Sequence, residues 1–174
     1  MTVTAVNKDA EALSMAITAE FEATPERVWQ LWADPRQLER WWGPPTYPAT
    51  FEQHDLRPGG RVSYYMTGPT GDTPRGYWDV EAVDPPRSLV VRDSFADEAG
   101  NPADGLPTSL MRVAIEEAGE GRTTMTITTQ FQDQAAMEQV IAMGMEEGMT
   151  QAMGQIDAIL AEDGASAGAG GGGY

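Results

Sequence analysis

The chain has no cysteine, and that absence removes disulfides, thiolate nucleophiles and thiolate metal sites together. Histidine occurs once, as His54, so a metal site built from several imidazoles is excluded. Basic charge is scarce as well. Against 27 acidic residues stand 11 basic ones, all arginine except Lys8, for a formal net charge of −16. Nucleic acid and anionic membrane both require a basic footprint, so neither is expected as a partner. The acidity is spread along the chain, which reads as solubility through self-repulsion rather than as an acidic docking face. No apolar run approaches the ~20 residues that span a bilayer, and the polar start, Met1 to Ala12, lacks a signal-peptide pattern. The expected location is the cytoplasm. Carboxylates are plentiful, yet no run has calcium-loop spacing, and neither a metal nor a cofactor is expected.

What remains is an ordinary soluble composition, 41% hydrophobic over 174 residues, sized for one domain. Residues 1–12 read as a flexible lead, 13–161 as the domain, and the Gly-rich stretch 162–174 as a disordered tail. Leu13 to Phe21 alternates as a strand with Leu13, Met15, Ile17 and Phe21 on one face. Thr24-Pro25-Glu26 then opens a short helix, because Thr24 can cap free N–H groups and Pro25 suits the first helical position. Asp34-Pro35 stops it and starts another, which ends in Trp41-Trp42-Gly43-Pro44-Pro45.

Six further segments read as strands: Ala49 to Leu56, Val62 to Thr67, Gly76 to Val83, Ser88 to Phe95, Ser109 to Glu116 and Thr123 to Phe131. Tight-turn signals such as Pro58-Gly59-Gly60 and Gly119-Glu120-Gly121 separate them, as in an antiparallel sheet. The period changes after Asp133, a plausible N-cap. From there to about Leu160 the spacing predicts one helix, with Ile141, Met145, Met149, Ala152, Ile156 and Ile159 on one face. The fold class is therefore α+β. A curved antiparallel sheet of about six or seven strands wraps a long C-terminal helix, with two short helices after the first strand. One helix does not fill such a sheet, so a cavity of ~300 Å³ or more is expected between them.

Particular residues sharpen this. Ala23 to Trp29 with Trp41-Trp42-Gly43-Pro44 forms the first matching segment, and Asp55-Leu56-Arg57-Pro58-Gly59-Gly60-Arg61 the second. Ala82 to Leu89, Asp93 to Asp97 and Met143 to Met149 leading into Gln155-Ile156 complete the set. Together these resemble the START-like helix-grip superfamily, in particular the branch of the activator of the heat-shock-protein-90 ATPase, over roughly residues 13–161. The resemblance implies a helix-grip fold. It leaves function open, since that superfamily hosts ligand carriers, cyclases, hydrolases and chaperone-binding modules.

Trp41 and Trp42 point about 100° apart if helical, so both cannot face inward from one short helix; Trp42 is expected to cap the cavity and Trp41 to pack on the sheet or outside. Alternation places Phe51, Tyr64, Trp78, Phe95, Met111 and Phe131 on the concave side, facing Met145, Met149 and Met153. Methionine spacing of this kind also serves plain core, but the side chain adapts to varied ligand shapes. Gly144 and Gly148, costly in mid-helix, signal either close backbone approach or free space. His54 should face outward if Phe51 faces in. Asp55, Asp93 and Arg112 are candidate polar groups of the wall, and Asp93 reads most simply as a structural carboxylate paired with an arginine. No catalytic triad or carboxylate pair assembles.

Three readings follow. One is a non-catalytic carrier or sensor of a small hydrophobic or aromatic molecule, acting as monomer or homodimer, with Trp42, Phe51, Tyr64, Trp78, Asp93, Phe95, Met111, Phe131, Met145, Met149 and Met153 around the ligand. Another is a polyketide cyclase-like or dehydratase-like enzyme, with Tyr64, Asp93 or Arg112 assisting proton transfer. The resemblance alone implies the third, a module that acts on a chaperone ATPase.

Overall fold

Thr24 caps the first helix as its position requires, its hydroxyl accepting the Arg27 N–H at 3.2 Å. Around it, a computed structural model describes residues 3–163. The strands are β1 (Val3–Asp9), β2 (Ser14–Phe21), β3 (Ala49–His54), β4 (Arg61–Met66), β5 (Arg75–Asp84), β6 (Ser88–Ala96), β7 (Ser109–Gly119) and β8 (Arg122–Phe131). Helices α1 (Pro25–Ala33) and α2 (Pro35–Leu38) follow β2, and α3 (Gln134–Ala142) and α4 (Met145–Gly154) follow β8. Among the described residues the eight strands form one sheet, ordered β1-β2-β8-β7-β6-β5-β4-β3, with every neighbouring pair antiparallel. None of the described helices is long and apolar enough to cross a membrane.

The α+β, helix-grip architecture is the one expected, with eight strands rather than six or seven. The additional strand is β1. Within the stretch expected as a flexible lead, Val3 to Asp9 pairs with β2 from Val3↔Ala19 to Asp9↔Ser14, and residues 1–2 lie outside the described residues. Lys8 on this edge strand also forms an ion pair with Glu146 of α4. At the other end, Glu162 and Asp163 continue the helix and pair with Arg40 and Arg27. Glu162 and Asp163 are thus helical rather than tail, and the rest of the expected tail, 164–174, lies outside the described residues.

The inner face of the sheet carries the alternating apolar side chains that composition demanded, with Met15, Ile17, Leu89, Val91, Met111, Val113, Met125 and Ile127 all buried. Helix α1 lays Val28, Leu31 and Trp32 onto one end of this layer. Asp34 caps α2 through the Arg36 N–H at 2.9 Å. That helix ends at Leu38, so Trp41 and Trp42 leave it in a turn, with the Trp42 N–H still bonded to the Leu38 carbonyl at 3.0 Å.

The long C-terminal helix begins at Asp133 as expected, its carboxylate accepting from Ala136 N–H at 2.7 Å. It runs in three pieces. Gly144 adopts φ 88°, a left-handed conformation that ends α3 and starts α4. A second break falls at Gln155, after which residues 156–163 are helical. Met153, Ile156 and Ile159 anchor that end in the core.

One facing is reversed. A bulge in β3 between Phe51 and Gln53 shifts the alternation by one residue. His54 consequently pairs across from buried Val62 and turns inward, where Nε2–H donates to the Trp32 carbonyl at 2.9 Å. The lone histidine buckles the sheet edge to α1. It is half-buried there.

Candidate functional site

Between the β4–β7 part of the sheet and the α3–α4 joint lies a cleft of about 240 Å³, open on one side. Its volume is smaller than the cavity expected from the sequence. An engineered apolar cavity on the order of 150 Å³ already holds benzene, so a single substituted ring fits.

The sheet contributes Tyr64, Met66, Asp93, Ser94, Phe95 and Ser109; Trp42 and Pro44 close one end; Val140, Met143, Met145 and Met149 form the helical wall. Gly144 and Gly148 also line the cleft, and a Cβ on either would meet nothing within 4 Å. Close backbone approach is thus not their role. They leave space. Met143, 54% exposed, stands at the lip.

Of the residues expected around a ligand, the structure brings together Trp42, Tyr64, Asp93, Phe95, Met145 and Met149. Phe51, Trp78, Met111 and Phe131 on the inner face of the sheet, and Met153 on α4, lie in the core and off the cleft wall. Arg112 is exposed, facing away from the cleft, and Asp55 sits beyond β3, paired with Arg57 at 2.8 Å. Those two candidates are withdrawn. Sequence reasoning missed Pro44, Met66, Ser94, Ser109, Val140 and Met143. Met66 and Ser109 stand at strand ends, where the alternation that marks a face says nothing of depth along the groove.

Trp42 sits at the centre of an aromatic cluster. Its ring makes edge contacts with Trp78 at 4.8 Å and Trp41 at 5.6 Å, and with Tyr64 at 6.1 Å. Trp41 is fully buried, its indole donating to the Leu31 carbonyl at 3.0 Å, and so fixes the turn from beneath. Tyr64 lies over its cross-strand partner Gly76, where a Cβ would come within 2.6 Å of the phenol oxygen. Only glycine admits the ring there.

The electrostatics of the cleft centre on Asp93. Burial pushes its carboxyl up to about 7, and among the described residues no cation or hydrogen-bond donor offsets that cost. The arginine partner expected from the sequence is not there. The Tyr64 phenol is raised above its ordinary value, first by burial and then by the neighbouring Asp93 charge. The indole N–H groups of Trp42 and Trp78 act on that phenol in the opposite direction, without reaching bonding geometry.

Residues 22–161 match the sequence model of the family described as Activator of Hsp90 ATPase homolog 1-like protein. A solution structure of a protein from Arthrobacter aurescens is 52% identical, with a TM-score of 0.89, covering 92% of this chain and 93% of that one. The crystal structure of protein Ms6760 from Mycobacterium smegmatis is 49% identical, with a TM-score of 0.84, over 91% and 96% of the two chains. A solution structure from Staphylococcus epidermidis shares the fold at 24% identity and a TM-score of 0.79, over 92% and 95%. No curated protein matches the chain.

Proposed function

The chain belongs to the Activator of Hsp90 ATPase homolog 1-like family, and from that premise we propose that it binds a small, mostly apolar or aromatic molecule in the cleft between sheet and C-terminal helix. One observation carries the reading. Gly148, on the cleft side of α4, leaves the space beside Met145 and Met149 unfilled, although alanine would fit there and favour the helix. A chain selected only for packing has no use for that arrangement. The ligand is held by shape and by polarisable contacts, and the Trp42 cluster gives the cleft a rigid end.

Native mass spectrometry of the protein from its own cells tests this, beside a Gly148→Leu variant that plugs the cleft. A small molecule that co-purifies with the wild type and is lost from the folded variant is the expected result. Equal retention by both would place the ligand elsewhere, and a wild type that carries none and binds no single-ring aromatic would end the reading.

A second reading has its own support. Asp93 faces the cleft with a carboxyl that exchanges its proton near neutral pH, the property of a general acid or base. A cyclase-like proton transfer would use it beside Tyr64. Turnover of an aromatic polyketide that survives Asp93→Asn would dismiss this alternative.

A further inference from the structure

A carboxylate withdrawn from water is ordinarily paired with a cation or hydrogen-bonded, because its ionised form is costly to desolvate. Asp93 has neither kind of partner among the described residues, and burial alone holds its carboxyl at about 7. The group is nevertheless not sealed. Asp93 is half-buried and lines the cleft, whereas the indole nitrogens of Trp42 and Trp78 are shut off from it. Polar contact with an occupant therefore falls to the carboxyl. Directly across the β6–β7 ladder stands Ser109, which shares that face and adds a hydroxyl to the same wall. Trp42, Tyr64 and Phe95 supply aromatic rings around them. Among the described lining residues Tyr64 is the only other titratable group, and neither strand nor helix brings an arginine, lysine or histidine to the cleft.

We propose that the cleft selects a cation: the protonated amine of a single-ring aromatic molecule pairs with the Asp93 carboxylate, while its ring lies against the methionine and aromatic walls. The chemistry of the lining chooses that class. An ammonium supplies the positive charge this carboxylate lacks, and its three N–H donors can serve the carboxylate and the Ser109 hydroxyl at once. Aromatic walls favour a cation over a neutral group of the same size. An anion would confront Asp93 with no cation to offset the repulsion. A hydrocarbon leaves the carboxyl as costly as before, and a hydroxyl offers it one donor without charge. The net charge of −16 concentrates cations near the surface and repels anions. The inference rests on the ligand-binding reading above and narrows its chemical class.

Benzylamine, benzyl alcohol and ethylbenzene have one shape and differ in one group. Titrated into the full-length protein at pH 8 by calorimetry, benzylamine should bind at least ~10-fold more tightly than either of the others, the discrimination expected of a charge-assisted hydrogen bond away from bulk water. The ion pair needs an ionised carboxyl, so that preference should shrink several-fold at pH 5, where Asp93 holds its proton. Asp93→Asn keeps the shape and removes the charge, and should abolish both the preference and its pH dependence. Equal binding of the three, or tightest binding of ethylbenzene, would overturn the proposal while leaving an apolar ligand site intact. Tightest binding of benzyl alcohol would overturn it in favour of a neutral polar site. An amine preference that survives Asp93→Asn, or is the same at both pH values, would overturn it by placing the ammonium elsewhere. Binding of none of the three would remove both the proposal and the reading beneath it. The wild-type comparison at two pH values decides the matter even if the variant fails to fold.

Discussion

Gln155 donates its side-chain amide to the main-chain carbonyl of Gly43 at 2.6 Å. The same nitrogen reaches the Trp41 carbonyl at 3.4 Å. The second break of the C-terminal helix is therefore clamped to the turn that presents Trp42, and one end of the cleft is held from both sides.

Removing that clamp should loosen the turn. Gln155→Leu leaves the Gly43 carbonyl without its donor and should cost about 1–3 kcal/mol, the range for an orphaned buried group. Chemical denaturation followed by tryptophan fluorescence reads it. An unchanged midpoint would show that the clamp contributes nothing.

Trp42 is more deeply built into the core than its place in the sequence suggests. From sequence alone, Trp42→Ala should weaken ligand binding more than stability. With a ring packed against Trp32, Trp41, Tyr64 and Trp78, the same change should cost ~3–5 kcal/mol. Thermal melts of the alanine and phenylalanine variants should differ widely. A small loss for alanine would mean that the cluster rearranges to fill the hole.

Two glycines four residues apart should respond in opposite directions. Gly144→Ala forces a side chain into φ 88° and should destabilise by about 1–2 kcal/mol. Gly148→Ala sits in a helix with open space beside it and should stabilise by up to ~1 kcal/mol, while narrowing the cleft. Equilibrium unfolding of the two variants checks the signs, and the same sign for both would contradict this account of the joint.

Asp93 should make stability depend on pH. Its folded carboxyl titrates at about 7, against ~3.9 for an unfolded aspartate. Between those values the native state holds a proton that the unfolded chain has released, so stability falls as pH rises from about 4 to 7. Asp93→Asn abolishes that contribution. Its melting temperature should exceed that of the wild type by more at pH 8 than at pH 4, and an equal difference at both would place the carboxyl in ordinary solvent.

Much of this architecture is legible in the chain because local signals agree with tertiary ones. Thr24, Asp34 and Asp133 each cap a helix where their positions indicate, and the strands from β2 to β8 announce themselves by alternation and turns. The misses have physical causes. Val3 to Asp9 is an edge strand held mainly by main-chain pairing to β2, and its largely exposed side chains carry no alternation to read. The β3 bulge adds a residue that no propensity marks, and it turns His54 inward. Within the site, alternation identifies the shared face of Tyr64, Trp78 and Met111. It cannot say that the groove opens beside Tyr64 and is packed solid over Met111. Gly144 was visible as an anomaly, but its meaning depends on a backbone angle.

The pairing of β2 with β8 has a consequence in time. Thr18 and Thr126 meet through their hydroxyls at 3.2 Å although 108 residues separate them along the chain. During synthesis the strands from β3 to β8 emerge as successive hairpins, each with its neighbour already present. The β1–β2 hairpin is made first and must wait for β8 before it can join the sheet. Contacts this distant in sequence slow folding. The earliest-made strands of the sheet are thus the ones that wait longest for their place.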